Sequence, residues 1–156
     1  MTNDSFDKFE TKKLEDIKLV TMMPVSNDVK CTNAYNLPIL TNTLGEYVSN
    51  LGIKQLRIAE TEKFAHVTYF FDGGEEKKLK NCTQLLIPSP KVATYDMKPE
   101  MSAYEITDNL IKELPYYDLV ILNYANGDMV GHTGDLTASI KAVETLDNCL
   151  DKLYKK

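Results

Sequence analysis

Short apolar runs alternate along the chain with longer stretches in which apolar residues recur three and four positions apart. The apolar run 119–122 lies between Asp118 and Asn123, which predicts a strand buried on both faces inside a parallel sheet. Polar residues and glycines continue to Gly134, and apolar positions then recur at helical spacing over 135–154. That spacing predicts an amphipathic helix with its apolar face toward the core. Because open α/β sheets place their chemistry just beyond the carboxyl ends of strands, the polar stretch is a candidate site.

The apolar face of this last helix is predicted from residues that step by three and four. These are Leu136, Ile140, Val143, Leu146, Leu150 and Leu153.

Further strand–helix pairs precede this one. Strands are predicted at 17–23, 55–59 and 84–87, and a loop at 26–38. Helices are predicted at 43–52, 61–71 and 102–114, with capping boxes at Thr43–Glu46 and Ser102–Glu105. The β-branched and aromatic residues of 67–71 also suit a strand, which is the alternative for that segment. Four strand–helix pairs predict the α/β class, with an open, mostly parallel sheet and helices on both faces.

Composition and charge narrow the functional classes. A chain of 156 residues suits one domain, and a net charge of −5 without a Lys/Arg block disfavours a nucleic-acid partner. The cysteines Cys31, Cys82 and Cys149 are scattered and odd in number, which predicts free thiols in a reducing compartment. No apolar run is long enough to span a membrane and no signal-peptide pattern is found. We therefore expect a cytoplasmic protein.

Asp128 and His132, four residues apart in the polar stretch, are the sharpest chemical pair in the chain. A carboxylate and an imidazole suit Mn²⁺ or Zn²⁺, and on one helical turn they share a face and can reach one ion. The alternative is that Asp128 is a turn residue and His132 a polar residue beside a helix. Two ligands do not close a site, and the only other histidine is His66.

Lys63 is the second candidate, because it lies in the first turn of a predicted helix just beyond a strand. A cation there is unfavourable with the helix dipole unless an anion such as phosphate also binds. The alternative is an ordinary ion pair with Glu60 or Glu62. Arg57 is either a buried ion-pair partner or a second anion contact, and His66 is expected to be structural.

Several sequence runs resemble cofactor-independent phosphoglycerate mutase, a two-metal family of the alkaline phosphatase superfamily. The runs, in the order of the family, are 56–68, 87–96, 99–102 and 126–134. The resemblance extends from about Ile17 to the end of the chain. It implies that Asp128 and His132 bind one of two manganese ions and that Lys63 contacts the substrate phosphate. It also implies a phosphoserine intermediate, interconversion of 3- and 2-phosphoglycerate, a monomeric parent enzyme and no organic cofactor.

The chain also departs from the family pattern. The nucleophilic serine, an arginine-rich phosphate motif, an Asp-His-Gly-Asn run and a later histidine ligand have no counterpart here. We therefore expect residues 1–156 to form a single partial domain, an internal fragment of the phosphatase domain, with 1–16 as a surface or frayed lead-in. Such a chain holds no catalytic residue, offers at most a partial site for one metal ion and is inactive by itself. The alternatives are another metal-dependent phosphatase or phosphopentomutase of the superfamily, or a non-catalytic α/β module.

Overall fold

The chain forms two compact units, Met1–Ile39 and Leu40–Lys156, in a computed structural model. The structure describes residues 8–10, 12, 17–24 and 29–156. The lead-in predicted at residues 1–16 lies mostly outside the described residues. The prediction of a single partial domain stays a prediction.

The first unit contains a small parallel pair of strands. Strand β1 (Val20–Thr21) pairs with β2 (Thr32–Asn33), and the Thr21 hydroxyl donates to the Asn33 side-chain oxygen at 2.9 Å. The strand predicted at 17–23 is therefore present but short. The prediction of a loop over 26–38 was wrong at β2. Both residues of that strand are polar, so the apolar pattern did not indicate it.

The second unit is built on a parallel sheet with the strand order β4-β3-β5. The strands are β3 (Gln55–Glu60), β4 (Cys82–Ile87) and β5 (Leu119–Asn123). All residues of β3 are buried, whereas those of β5 are only partly buried. The prediction that β5 is buried on both faces was wrong, because in the described part of the chain β5 pairs with β3 alone and lies at an edge.

Helices cover both faces of this sheet, as the α/β class predicted. They are α1 (Leu44–Asn50), α2 (Phe64–Val67), α3 (Ala103–Glu113), α4 (Asn126–Gly131) and α5 (Leu136–Tyr154). Successive residues of a strand point to opposite faces. Leu56 and Ile58 pack with Ile106 of α3 on one face. On the other face the Gln55 amide donates to the Gly45 carbonyl of α1 at 2.9 Å.

The predicted helix boundaries hold where local hydrogen bonds fix them. The Thr43 backbone N–H donates to the Glu46 carboxylate at 2.8 Å, which completes the capping box of α1. Ser102 was predicted to cap α3 in the same way, but its hydroxyl donates to the Pro88 carbonyl at 2.7 Å instead. The helix predicted at 61–71 ends at Val67 and continues as turns, so neither the long helix nor the alternative strand forms there.

The apolar face predicted for α5 holds only at Leu146 and Leu153, which are partly buried, and was wrong at the other four residues. Residues Leu136, Ile140, Val143 and Leu150 are each more than half exposed. The buried residues of the helix are Ala138, Ala142, Thr145 and Cys149. The buried face is made of small residues because α5 packs against α3 and α4, and small side chains let helices approach closely. In the described residues no helix has the length and apolar composition needed to cross a bilayer.

Candidate metal and phosphate site

The site lies at the carboxyl edge of the parallel sheet. Ala59 of β3 is level with Asn123 of β5, so the segments that follow the two strands leave the sheet side by side. After β3 a 3-10 turn carries Lys63, and after β5 the helix α4 carries Asp128. Parallel strand order therefore brings together two residues that are 65 positions apart in sequence.

Asp128 and His132 share one face of a helical turn. The His132 backbone N–H donates to the Asp128 carbonyl at 3.0 Å, and the His132 Nε2 lies 3.1 Å from the Asp128 Oδ1. The His132 side chain is 76% exposed and the Asp128 side chain is 50% exposed. The i,i+4 arrangement considered for this pair is therefore the one that the structure adopts.

Lys63 contacts the other oxygen of the same carboxylate. Its Nζ donates to the Asp128 Oδ2, and its side chain is only 15% exposed. The ion pair considered for Lys63 with Glu60 or Glu62 was wrong. Glu60 is buried and accepts a hydrogen bond from the Ser89 hydroxyl, and Glu62 accepts one from the Tyr95 hydroxyl at 2.7 Å.

The electrostatics favour a charged Asp128. The hydrogen bond from Lys63 is the main cause that lowers the pKa of Asp128, and the charges of Lys63 and His132 lower it further. Partial desolvation raises the pKa of Asp128, and this effect is smaller than that of the Lys63 hydrogen bond. Asp128 therefore offers an anionic carboxylate to any cation that approaches it at neutral pH.

The donor set fits a share of a divalent-metal site. A carboxylate oxygen and an imidazole nitrogen 3.1 Å apart can both contact one ion whose bonds are about 2 Å long. The same carboxylate already binds one cation, the Lys63 ammonium. In the residues that the structure describes, no group of three or more His, Cys, Asp or Glu side chains comes together to complete such a site. The metal role of Asp128 and His132 and the phosphate role of Lys63 therefore stay predictions.

A buried acidic network beside Lys63 was missed by the sequence reasoning. Glu60, at the end of β3, is fully buried and accepts hydrogen bonds from the Ser89 hydroxyl at 2.9 Å and the Ser102 N–H at 3.4 Å. Ser89 N–H also donates to the Thr61 hydroxyl at 3.1 Å. Burial is the main cause that raises the pKa of Glu60. These bonds fix the turn that carries Lys63, and the available signal was an acidic residue at the end of a buried strand.

Two other candidates lie away from this contact. Arg57 is fully buried in an ion pair with Asp72, so of its two considered roles the structure gives the buried ion pair. His66, expected to be a satisfied structural histidine, is exposed, and its ring lies edge-on to Phe70 with 5.2 Å between the centroids.

Comparison with known proteins supports the resemblance. A protein of Clostridium acetobutylicum named 2,3-bisphosphoglycerate-independent phosphoglycerate mutase is 57% identical over 100% of this chain, which covers 31% of that relative. A protein of the same name from Methanococcoides burtonii is 53% identical over 97% of the chain and 30% of the relative.

A solved structure shares the fold. A crystal structure of Leishmania mexicana phosphoglycerate mutase at low cobalt concentration has a TM-score of 0.79 and 36% identity over 96% of this chain and 28% of its own. The resemblance to cofactor-independent phosphoglycerate mutase is confirmed, and the chain spans about a third of the length of these relatives. The family profile of the Metalloenzyme superfamily matches residues 30–156. The chain therefore belongs to the Metalloenzyme superfamily.

Proposed function

We propose that this chain is the part of a cofactor-independent phosphoglycerate mutase that contributes ligands to one metal ion and a contact to the substrate phosphate. The parent protein interconverts 3-phosphoglycerate and 2-phosphoglycerate through a phosphoserine intermediate. The names of relatives that are 53–57% identical over nearly the whole chain support this proposal.

One observation carries the proposal. A single carboxylate, Asp128, has an imidazole at one oxygen and an ammonium at the other. All three groups lie beyond the carboxyl ends of neighbouring parallel strands, where open α/β sheets bind their ligands. A divalent cation and a phosphate are complementary to this combination of one anionic and two nitrogen-bearing side chains.

Each residue has a defined role in the proposed reaction. Asp128 and His132 supply an oxygen and a nitrogen ligand to one of two manganese ions, and Lys63 offsets the charge of the phosphate. When bound, such ions stabilise charge on the transferring oxygens and activate a nucleophile. The Glu60 network holds the turn on which Lys63 stands.

The proposal includes the remaining catalytic groups, the partners and the location of the parent protein. The nucleophilic serine and the remaining metal ligands come from sequence outside these 156 residues, so this chain alone has no mutase activity. Phosphoglycerate is the only partner proposed, with no nucleic acid, no membrane and no organic cofactor. The parent acts as a monomer in the cytoplasm.

A chimaeric enzyme tests the function directly. The chain replaces the matching third of the Clostridium acetobutylicum relative, and conversion of 3-phosphoglycerate into 2-phosphoglycerate is measured with manganese present. We expect mutase activity, and we expect Asp128→Asn in the chimaera to lower it by at least about 100-fold, the upper range for losing even a residue behind the metal ligands.

A charge-matched control separates the site from general charge effects. Lys112→Met removes an exposed lysine near the end of α3 and leaves the chimaera active, whereas Lys63→Met weakens phosphoglycerate binding. A folded chimaera that only hydrolyses phosphate esters would favour another superfamily phosphatase. A folded chimaera with no activity toward phosphate esters would favour the non-catalytic module.

A further inference from the structure

Lys63 and the proposed metal ligands compete for the same carboxylate. The Lys63 side chain is mostly buried, yet its ammonium is directed to the half-exposed Asp128. That carboxylate also lies beside the His132 imidazole. The Asp128 carboxylate, which a metal ion would need as an anionic ligand, therefore already contacts the positive charge of Lys63.

We propose that Lys63 is a built-in substitute cation that holds Asp128 while no divalent cation is bound and leaves it when one binds. The inference rests on the proposed function, because it takes Asp128 and His132 as ligands of a divalent cation. It adds an energetic antagonism between Lys63 and the metal ion, and through Lys63 a positive coupling between metal binding and phosphate binding.

The antagonism follows from charge and reach. A divalent cation on the Asp128 carboxylate stands within a few ångströms of an ammonium on the same group. Like charges at that distance repel, and solvent at the half-exposed Asp128 keeps the repulsion modest. The lysine side chain has a flexible four-carbon stem and a single-point charge, so it can move without disturbing the backbone. The backbone of its turn stays fixed by the bonds among Glu60, Ser89 and Thr61.

The release of Lys63 prepares the site for phosphate. While it is bonded to Asp128, its charge is neutralised by the carboxylate. Once Asp128 binds a metal ion, the ammonium is available to an anion at the same sheet edge. Metal binding and phosphate binding are then positively coupled through Lys63, and by linkage each raises the affinity for the other by the same factor.

The two histidines of the chain give a direct measurement on the protein as it is. Mn²⁺ alone is titrated into the 156-residue chain while the ring protons of His132 and His66 are followed by NMR. Paramagnetic broadening of His132 reports the site, and the exposed His66 serves as an internal control for non-specific binding. The readout is affinity and does not depend on activity.

The decisive variant is Lys63→Met, with Lys112→Met as the control for loss of one positive charge. We expect Lys63→Met to lower the Mn²⁺ concentration that half-broadens His132 by about fivefold, which corresponds to about 1 kcal/mol. We expect Lys112→Met to change this half-broadening Mn²⁺ concentration by less than about 1.5-fold. An amide spectrum of each variant confirms that the fold is retained.

The outcomes distinguish this inference from the proposed function. Equal broadening of His132 in the original chain and in Lys63→Met, with loss of broadening in Asp128→Asn, would overturn the competition while the metal ligands stand. Weaker binding in Lys63→Met would overturn it as well. If His132 broadens no more than His66 in the original chain and in both Lys63→Met and Asp128→Asn, the metal site itself is wrong.

Discussion

The Arg57 guanidinium and the Asp72 carboxylate form an ion pair with two hydrogen bonds, of 2.6 Å and 3.0 Å. Both side chains are buried from solvent, and the guanidinium also lies 5.1 Å from the centroid of the Phe71 ring. Paired donors and acceptors of this kind fix geometry as well as charge. The pair connects the central strand β3 to the turns that follow α2.

Removing one partner of this pair leaves a buried charge without compensation. We expect Asp72→Ala to lower the free energy of unfolding by about 3–5 kcal/mol, measured by urea denaturation at neutral pH. The control is Asp108→Ala, because Asp108 and Lys152 form an ion pair of 3.9 Å whose side chains are at least half exposed. We expect loss of this exposed pair to change the free energy of unfolding by less than about 1 kcal/mol. Similar losses in the two variants would contradict a structural role for the buried pair.

Gly45 of α1 is the glycine on which this pair depends. A Cβ at this position overlaps the Arg57 Nη2 and lies 3.0 Å from both the Asp72 Oδ1 and the Leu79 Cδ1. We expect Gly45→Ala to destabilise the chain by about 1–3 kcal/mol, because the guanidinium cannot yield without losing its partner. At Gly131 a Cβ meets no atom within 4 Å, so Gly131→Ala is neutral or stabilises by up to about 1 kcal/mol. Thermal unfolding of the two variants side by side makes the comparison.

Glu60 gives the stability of the chain a defined pH dependence. Its pKa in the folded state is raised above 4.5, mainly by burial, so over the window above pH 4.5 the folded state binds more protons than the unfolded state. Its contribution to stability is therefore largest at low pH and falls as the pH rises through that window. We expect the unfolding free energy of the original chain minus that of Glu60→Gln to decrease from pH 4.5 upward. A difference that stays constant or increases with pH would contradict a raised pKa.

The outer face of α5 should tolerate truncation. Ile140 is more than half exposed, so Ile140→Ala changes the unfolding free energy by less than about 1 kcal/mol. Leu110 of α3 is 2% exposed within the core, and Leu110→Ala lowers it by about 2–5 kcal/mol. Chemical denaturation of both variants tests whether the apolar periodicity or the observed packing describes α5. A large loss at Ile140 would show that its exposed face is covered in solution.

Local chemistry allowed much of this fold to be predicted from sequence. The capping box predicted at Thr43 and Glu46 forms in the structure, and it acts within one turn of chain. The spacing of Asp128 and His132 likewise allowed a shared helical face, which the structure adopts. Such contacts depend only on residues three and four positions apart, so a linear pattern contains them.

Contacts between distant segments decided the rest. Which strand is central depends on the hydrogen-bonded partners that each strand finds, and apolar content alone made β5 look more buried than it is. The buried face of α5 depends on how closely α3 and α4 approach it, which favours alanine over leucine at the contact. The meeting of Lys63 with Asp128 required two parallel strands to end at one edge. The sequence alone determined most of the elements and the chemical groups. Only the tertiary structure decided which groups meet, because such contacts depend on distance in space and not on spacing along the chain.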